Sequence, residues 1–439
     1  MSRLIAAFLL ACISALPART ETEIEEVVSK GGITAWLVQE SSIPFVALEL
    51  RFRGGASLDA SGKRGAINLM TGLLEEGAGD LDSRSFTEAQ ERLASSFLYR
   101  AGPDSLSVSA KFLTENRDEA VALLRLSLVE PTFEQVALDR VREQVLSSLR
   151  SDAKDPNQIA RAAFDEMAFG DHPYSTQFKG SLDSVSLLTR DDVVEAHKAV
   201  FAKDRIYVGV VGDISPEELG PMLDKLLGDL PEVGAPQPDS ADIMIKGGIT
   251  VIPFETPQSV TIFGHGGIDQ KDPDFFAARL LNHILGAGGF ESRLMQEVRE
   301  KRGLTYGVYS YLVSQDHAAT LQGQVASANN KIAEAVSVIR DEWERAATDG
   351  VTQAELDAAK TFVTGSYPLR FDGNGPIARI MVGMQMVGLP IDYIPTRNAM
   401  VEAVTLEDVQ RVAKELLRTE DLHFVVVGKP LGLDETIQN

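Results

Sequence analysis

Hydrophobic and polar residues follow two different periods along the chain, and their order predicts an alternation of strands and helices. Strict alternation from Ser105 to Phe112 predicts a strand with one buried face. Runs rich in β-branched and aromatic residues predict further strands at Ile33 to Gln39, Phe45 to Phe52 and Ile206 to Val211. Helical spacing predicts helices over Ala66 to Glu76, Phe86 to Ala94, Arg117 to Leu128, Glu134 to Arg150 and Thr189 to Phe201.

The second half of the chain repeats this order. Strands are predicted at Ile249 to Pro253, Val260 to Phe263, Val308 to Val313, Thr320 to Val325 and Phe424 to Val427. Helices are predicted over Pro273 to Leu285, Glu291 to Arg302, Lys331 to Ala347 and Gln353 to Phe362. A repeat of about 200 residues indicates an α+β fold with two similar half-domains, each a mostly antiparallel sheet covered by helices.

Length and composition place the boundary between the two halves. A chain of 439 residues exceeds the size at which a single hydrophobic core stops growing, so at least two domains are expected. The segment 231–242 is rich in Pro, Gly, Asp and Ser, which is typical of linkers. We therefore predict a first domain over 19–235 and a second over 243–439.

Residues 1–18 have the pattern of a secretory signal peptide. Arg3 supplies the positive charge, 4–13 are apolar, and 14–18 offer small residues for cleavage. This apolar run is too short to span a bilayer, and no later stretch approaches the required length. Cys12 is the only cysteine, so a mature chain without it has no thiol chemistry. We expect a periplasmic protein; alternatively, Cys12 becomes the lipidated first residue of a lipoprotein.

Charge excludes one class of partner. The chain carries 64 acidic and 42 basic residues, a formal net charge of -22. Nucleic-acid binding needs a basic face, so this balance argues against a nucleic-acid partner. A composition of 44% hydrophobic and 24% charged residues is that of a soluble globular protein.

The segment 292–310, SRLMQEVREKRGLTYGVYS, holds the strongest candidate chemistry. On a helix, Glu291, Met295, Arg299 and Arg302 share one face, and Phe290, Leu294 and Val298 form the buried face. Gly303 is a natural helix end, so we expect Arg299 and Tyr306 to meet where the helix gives way to a strand. A guanidinium and a phenol there offer hydrogen-bond donors to a peptide carbonyl or an oxyanion.

A second interpretation needs no ligand at this corner. Lys301 and Arg302 then only compensate the helix dipole, and Tyr306 packs at a strand edge. Spacing alone favours this second interpretation, and the choice depends on what the segment as a whole resembles.

The segment resembles the signature of the pitrilysin/insulysin/mitochondrial processing peptidase family, in which a helix ends in Arg-Glu-Lys-Arg-Gly-Leu and a Tyr follows. The resemblance continues through Gly286 to Phe290, Ser292 to Leu294, 169–185 and both closing strands, at 205–213 and 422–430. In that family the Arg and the Tyr seven residues later contact the bound peptide near the scissile bond. The resemblance implies that Arg299 and Tyr306, with Gly288 and Gly289 of the glycine-rich turn, bind substrate here.

The family's zinc site is the inverted motif His-x-x-Glu-His on a helix of the first half, completed by a more distal Glu. The resemblance places that helix at 63–80. Asn68 then stands at the first His, Thr71 at the Glu, Gly72 at the second His, and Ser147 or Ser148 at the distal Glu. Amide, hydroxyl and hydrogen do not form a zinc site. The resemblance therefore implies a chain with no metal and no catalytic residues of its own.

No other motif replaces the lost metal site. The six histidines are far apart in sequence, so none of them has a local metal-binding spacing. Gly-x-Ser-x-Gly is absent, and the glycines at 286–289 lack the Gly-Lys-Ser/Thr ending of a phosphate loop. We interpret these glycines as a turn that lets a peptide backbone approach.

Two half-domains imply a partner, because enzymes of this family enclose their peptide substrate between four, in one chain or in two. The resemblance implies a heterodimer in the periplasm with a homologous subunit that keeps His-x-x-Glu-His and its zinc. This chain then supplies Arg299 and Tyr306 to the partner's zinc site. Two alternatives stay open: a zinc-free scaffold or peptide-binding protein, and a hydrolase with a displaced metal site.

Overall fold

Two mixed sheets, each built from one half of the sequence, form the frame of the protein. The computed structural model describes residues 23–433. The predicted signal peptide at 1–18, with Cys12, lies outside the described residues. Helices cover both sheets, so the α+β architecture with two similar half-domains is confirmed.

The strands follow the predicted order, with additional short strands in the first half. In the first half they are β1 (Glu25–Val28), β2 (Thr34–Gln39), β3 (Phe45–Arg53), β4 (Gly77–Ala78), β5 (Leu81–Asp82), β6 (Ser96–Ala101), β7 (Ser105–Leu113) and β8 (Ile206–Gly212). In the second half they are β9 (Gly248–Pro253), β10 (Gln258–Gly266), β11 (Val308–Ser314), β12 (Ala319–Ala328) and β13 (His423–Gly428).

The helices fall into the same two groups. In the first half they are α1 (Ala66–Thr71), α2 (Ser83–Arg92), α3 (Arg117–Val129), α4 (Gln135–Asp152), α5 (Pro156–Phe169), α6 (Leu182–Leu187), α7 (Arg190–Val200) and α8 (Pro216–Leu227). In the second half they are α9 (Phe275–Asn282), α10 (Ile332–Asp349), α11 (Gln353–Gly365), α12 (Asn374–Val387), α13 (Tyr393–Ala403) and α14 (Leu406–Leu416). Within residues 23–433, none of these helices combines the length and apolar composition that a bilayer crossing requires.

The two sheets have the same topology. The first has the order β1-β2-β8-β3-β7-β6, and the second has the order β11-β12-β10-β13-β9. In each sheet the closing strand of the half pairs in parallel with the first long strand, β8 with β2 and β13 with β9, and the other neighbours are antiparallel. The second sheet therefore repeats the first without the extra edge strand β1.

Each half lends one helix to the sheet of the other half. Helix α5 packs on β10 and β13, and α12 packs on β3 and β8. With both faces covered, the central strands β8 and β13 are apolar along their length. The approach is close at Gly209, where an added Cβ would lie 2.6 Å from the carbonyl oxygen of Ala378 on α12. Glycine is required there because that neighbour is backbone.

Polar contacts near the end of β11 also join the halves. The hydroxyl of Tyr174 donates to the carboxylate of Asp104, and the amide of His317 donates to the same hydroxyl at 3.2 Å. The guanidinium of Arg53 lies 3.4 Å from the carboxylate of Asp316. Burial raises the pKa of Asp104. The contacts of His317 and Asp316 join the first half to the β11–β12 hairpin of the second.

Candidate functional site

The first candidate corner is α1, where the resemblance places the zinc motif. The helix is shorter than predicted: it begins at Ala66 as expected but ends at Thr71 and not at Glu76. Beyond it, the amides of Leu73 and Glu76 donate three residues back, to Met70 and Leu73, so the chain continues in tight turns. Only one and a half turns of helix, roughly, are available to present side chains.

The side chains at the three α1 positions do not form a metal site. The hydroxyl of Thr71 is buried and donates to the carbonyl of Ile67 at 2.7 Å, within the helix itself. At Gly72 a Cβ would lie 3.0 Å from Val141 of the neighbouring helix α4, so a side chain there requires α4 to give way. Asn68 is half-buried and offers a neutral amide, which is a poor ligand for zinc.

The position of the distal Glu is filled by a different interaction. Ser148 lies on α4, and its hydroxyl accepts from the ammonium of Lys179 at 3.3 Å. The same ammonium is bound at 3.0 Å by the carboxylate of Asp152, one turn along α4. A fixed cation therefore lies beside Ser148, the position at which the resemblance places the distal Glu. The residues at this corner do not fit zinc.

Histidines elsewhere have structural partners. His265 is buried, and its Nε2 accepts from the indole of Trp343 at 2.9 Å; burial lowers its pKa to about 4. His197 bonds the carbonyl of Leu128 at 2.9 Å, and burial lowers its pKa to about 4 as well. Over residues 23–433, no group of three or more His, Cys, Asp and Glu side chains is arranged to hold a metal ion.

The second candidate corner follows α9 in the other half. Two short π-helical segments, His283–Ala287 and Met295–Glu300, replace the regular helices that the sequence predicts there. In π-helical geometry each turn takes in one more residue, which changes the faces that side chains occupy. The predicted stripes are therefore wrong at two positions: Met295 is buried, and Phe290 is 58% exposed on a turn outside the helix. Such segments are frequent at functional sites.

The side chain of Arg299 extends from its helix toward the exposed ring of Phe290. The guanidinium lies 4.6 Å from the ring centroid, within the range of a cation–π contact. Its ionic neighbour is Glu300, at 3.6 Å. Lys301 and Arg302, in contrast, both bind the carboxylate of Glu297, at 2.6 and 2.7 Å. Arg299 is thus the basic side chain of this helix end that points to an aromatic surface and not to Glu297.

Tyr306 is the most exposed aromatic residue of this corner, at 87%. It precedes β11 by two residues and does not lie on the strand itself. Its neighbours fix the backbone: the hydroxyl of Thr305 donates to the carbonyl of Ala326 at 2.6 Å, and the amide of Gly307 donates back to Thr305 at 3.1 Å. The interpretation in which Tyr306 packs at a strand edge is therefore wrong.

The glycine-rich turn lies between the two π-helical segments, and its glycines have different reasons to be there. A Cβ at Gly286 would lie 2.3 Å from the hydroxyl of Ser310, and one at Gly288 would lie 2.7 Å from the carbonyl of His283. Gly289 has a φ of 61° and faces open space. Packing explains the first two glycines, and only Gly289 leaves room for an approaching backbone.

The structure thus separates the predicted site residues into two sets. Arg299, Tyr306, Gly288 and Gly289 all belong to one corner, formed by residues 283–307. No direct bond joins Arg299 to Tyr306 within residues 23–433; each is held by its own scaffold. Asn68, Thr71, Gly72 and Ser148 lie on the packed pair α1 and α4. The exposed Phe290 beneath Arg299 was missed, because helical spacing placed it on the buried face.

Comparisons with known proteins agree with these observations. A family model described as peptidase M16 inactive domain matches residues 187–363. A Helicobacter pylori protein named non-peptidase homolog YmxG is 27% identical over 98% of this chain and 99% of its own. A Bacillus subtilis protein named uncharacterized zinc protease YmxG is 22% identical over 92% of this chain and 98% of its own.

A solved structure extends the similarity to the whole fold. The crystal structure of a peptidase M16 inactive domain from Pseudomonas fluorescens matches 94% of this chain and 100% of that chain, with a TM-score of 0.87 and 26% sequence identity. The shared architecture, the residues that replace the zinc motif and the names of these relatives support a non-catalytic role. These comparisons support an assignment to the peptidase M16 family, and to the type that lacks the family's zinc ligands.

Proposed function

We propose that the chain is the non-catalytic, substrate-binding subunit of a heterodimeric zinc metallopeptidase. A homologous partner subunit supplies the zinc, the attacking water and the general base. This chain supplies Arg299 and Tyr306 to the partner's zinc site, together with half of the wall of a chamber that encloses the peptide. Secretion by the segment 1–18 places the complex in the periplasm.

The observation that carries this proposal is the state of Tyr306. Exposing an aromatic ring at 87% gives up the free energy that burying it would supply, about 2 kcal/mol or more for a large apolar side chain. Packing within this chain does not account for the position of the ring. The backbone on both sides of Tyr306 is held by hydrogen bonds. An exposed phenol on a fixed backbone is an available hydrogen-bond donor for a group that another molecule brings.

Arg299 has the complementary chemistry. Its charge is delocalised over a planar guanidinium with five N–H donors, and the ring of Phe290 supports one face of it. An oxyanion that forms on the scissile carbonyl accepts hydrogen bonds from such groups more strongly than the carbonyl does. In this way the two side chains stabilise the transition state of a cleavage reaction that the partner's zinc and water perform.

Two variants of the full chain test this role in the reconstituted complex. Arg299→Ala and Tyr306→Phe are each expected to lower kcat of peptide hydrolysis by about 10²-fold, as the loss of one oxyanion donor does. Assembly of the heterodimer, measured by co-purification, is expected to be unchanged. Lys301→Ala, which removes a neighbouring charge bound to Glu297, is the matched control. Wild-type turnover in both variant complexes would overturn the proposal.

A second candidate function is a zinc-free scaffold or peptide-binding protein with no part in proteolysis. The name of the Helicobacter pylori relative, a non-peptidase homolog, favours it. The two functions differ in one assay: a scaffold leaves the peptidase activity of the partner unchanged when this chain is added. In the first function the partner is inactive until this chain completes its site.

A further inference from the structure

Three arginines meet in the helical layer of the second half, in a protein whose formal net charge is -22. Arg279 lies on α9, Arg370 lies in the short turn Tyr367–Arg370, and Arg397 lies on α13. Helix α11 packs against all three elements and holds them together. The charges of Arg397 and Arg370 contribute, after burial, to a lowered pKa of Arg279. The three guanidinium groups therefore lie close enough to repel one another.

Arg397 is the buried member of this arginine cluster, at 2% exposure. Its Nη1 donates to the carbonyl of Val363 at 3.0 Å and to the amide oxygen of Asn398 at 2.8 Å. Its guanidinium lies 4.3 Å from the ring centroid of Tyr367. Neutral groups thus hold the charge in place but do not neutralise it.

No carboxylate forms an ion pair with any of the three guanidinium groups in the part of the chain that the structure describes. Other arginines of the same helical layer do have such partners. Arg293 binds Glu355 at 2.7 Å, and Arg411 binds Asp274 at 2.6 Å. Burying a charge without a partner of opposite sign is costly. Arg397 carries that cost although the sequence has an excess of carboxylates.

The arginine cluster adjoins the second candidate corner. One helical turn after Arg279, the ring of His283 stacks on the ring of Phe362 at 4.9 Å, and the chain then enters the glycine-rich turn. Phe362 is 60% exposed, and Leu369, beside Arg370, is 79% exposed. Exposed apolar side chains therefore lie near the turn, at Phe362, and beside the arginine cluster, at Leu369.

We propose that Arg370 and Arg279, with Tyr367 and Tyr393 and with the buried charge of Arg397 behind them, bind the carboxylate of a peptide whose neighbouring residues lie along Phe362 and Leu369. The proposal rests on the proposed function, in which a peptide lies at Gly289 and Arg299. The planar guanidinium matches a carboxylate in a bidentate geometry. Burial raises the pKa of both tyrosines, so their hydroxyls stay protonated and can donate to an anion.

The separation of Arg279 and Gly289 limits how far apart the two contact points on the peptide can be. Ten residues of helix rise at most about 15 Å. An extended peptide covers that length in about five residues. A carboxylate in the second half of a decapeptide can therefore reach the arginine cluster while the first half lies at the glycine-rich turn.

Binding of fluorescein-labelled decapeptides to the full chain, measured by fluorescence anisotropy, tests the proposal. One peptide has Glu near its C-terminus and an amidated end, one has Gln and a free C-terminal carboxylate, and one has Gln and an amidated end. At least one carboxylate peptide is expected to bind about tenfold more tightly than the uncharged one. The two carboxylate arms distinguish an acidic side chain from a chain terminus.

Variants assign the effect to the arginine cluster. Arg370→Gln is expected to remove the tenfold preference, and Arg370→Lys to keep part of it, because charge without the planar fork binds carboxylate less well. Arg370 is exposed, so neither change disturbs the core. Arg84→Gln, which removes an exposed arginine on α2 that pairs with Glu88, controls for net charge.

Equal affinity for all three peptides would overturn the proposal. So would a preference that survives Arg370→Gln or is lost in Arg84→Gln. These measurements use this chain alone, whereas the proposed function is tested by turnover in the complex. Unchanged turnover with Arg299→Ala, together with a carboxylate preference that depends on Arg370, would separate the failure of the proposed function from that of this inference.

Discussion

Two corners of the molecule hold matching places in a duplicated fold but have opposite character. Helix α1 follows β3 in the first half, and the segment 283–307 follows α9 and β10 in the second. At the first corner, the hydroxyl of Thr71 and the ammonium of Lys179 bind their own scaffold. At the second corner, Tyr306 is exposed on a fixed backbone. The side chain of Thr71 at the first corner is packed like a core residue, whereas that of Tyr306 at the second corner is left exposed.

The largest expected effect comes from placing a carboxylate at Thr71, where the resemblance puts the family's Glu. Thr71→Glu places a charged group where the side chain is buried, and burying a polar group without a partner costs about 2–4 kcal/mol. Urea denaturation measures the free energy of unfolding. Thr71→Ser keeps the hydroxyl bond to Ile67 and is the control. If Thr71→Glu were as stable as wild type, this corner would be an open cavity and the contrast would disappear.

The scaffold that the corners share is the next target. Gly209→Ala brings a methyl group to within 2.6 Å of the carbonyl of Ala378. We expect a loss of about 1–3 kcal/mol, because overpacking forces α12 away from β8. Gly383→Ala on the same helix meets nothing within 4 Å and is expected to stabilise the protein slightly. Equal effects of the two changes in thermal denaturation would show that α12 does not pack tightly on the first sheet.

Helix α5, which packs on the sheet of the second half, allows a test by pH. Burial raises the pKa of Asp165 on α5 to about 7, although Arg161 lowers it in part. The folded state therefore holds this proton more tightly than the unfolded state does, and stability falls as the pH rises from about 4 to about 7. Asp165→Asn is expected to raise Tm by about 2–4 °C at pH 8 and to leave it unchanged at pH 4.

Asp171→Asn, at an exposed position after α5, is the control for this pH test. It removes the same charge from the surface and is expected to leave Tm unchanged at both pH values. A Tm of Asp165→Asn that matches wild type at pH 8 would contradict the burial of that carboxyl group.

The smallest expected effect on stability lies at the second corner. Arg299→Ala loses the cation–π contact with Phe290, at most about 1 kcal/mol. Tyr306→Phe is expected to change the free energy of unfolding by less than about 0.5 kcal/mol, because the hydroxyl is exposed. Urea denaturation of both variants measures this. A loss as large as that of Thr71→Glu would make these residues structural.

Alternating positions and apolar runs in the sequence predict strands β7 and β8 well. The alternation at 105–112 becomes β7, and the apolar run at 206–211 becomes β8, as predicted. The exchange of α5 and α12 was not predicted, because an apolar strand does not specify which helix covers its second face. The π-helical turns were not predicted either, because they depend on tertiary packing. For this reason Phe290 lies on a turn outside the core and not on the buried face of a helix.

Candidate residues were predictable where side-chain chemistry alone decides. The resemblance places Asn68, Thr71 and Gly72 at the positions of the zinc motif, and this prediction needs only the sequence. The ammonium of Lys179 beside Ser148 is not, because the two residues lie on separate segments that only the fold brings together. The arginine cluster was missed for the same reason: Arg279, Arg370 and Arg397 share no local spacing.

The most direct test of the central claim measures bound zinc and peptide hydrolysis for this chain alone and for its complex with a homologous His-x-x-Glu-His subunit. We expect no stoichiometric zinc and no hydrolysis for the chain alone. We expect one zinc per heterodimer, with cleavage that depends on both chains. Stoichiometric zinc in this chain alone, with peptide cleavage in the absence of any partner, would contradict a non-catalytic role.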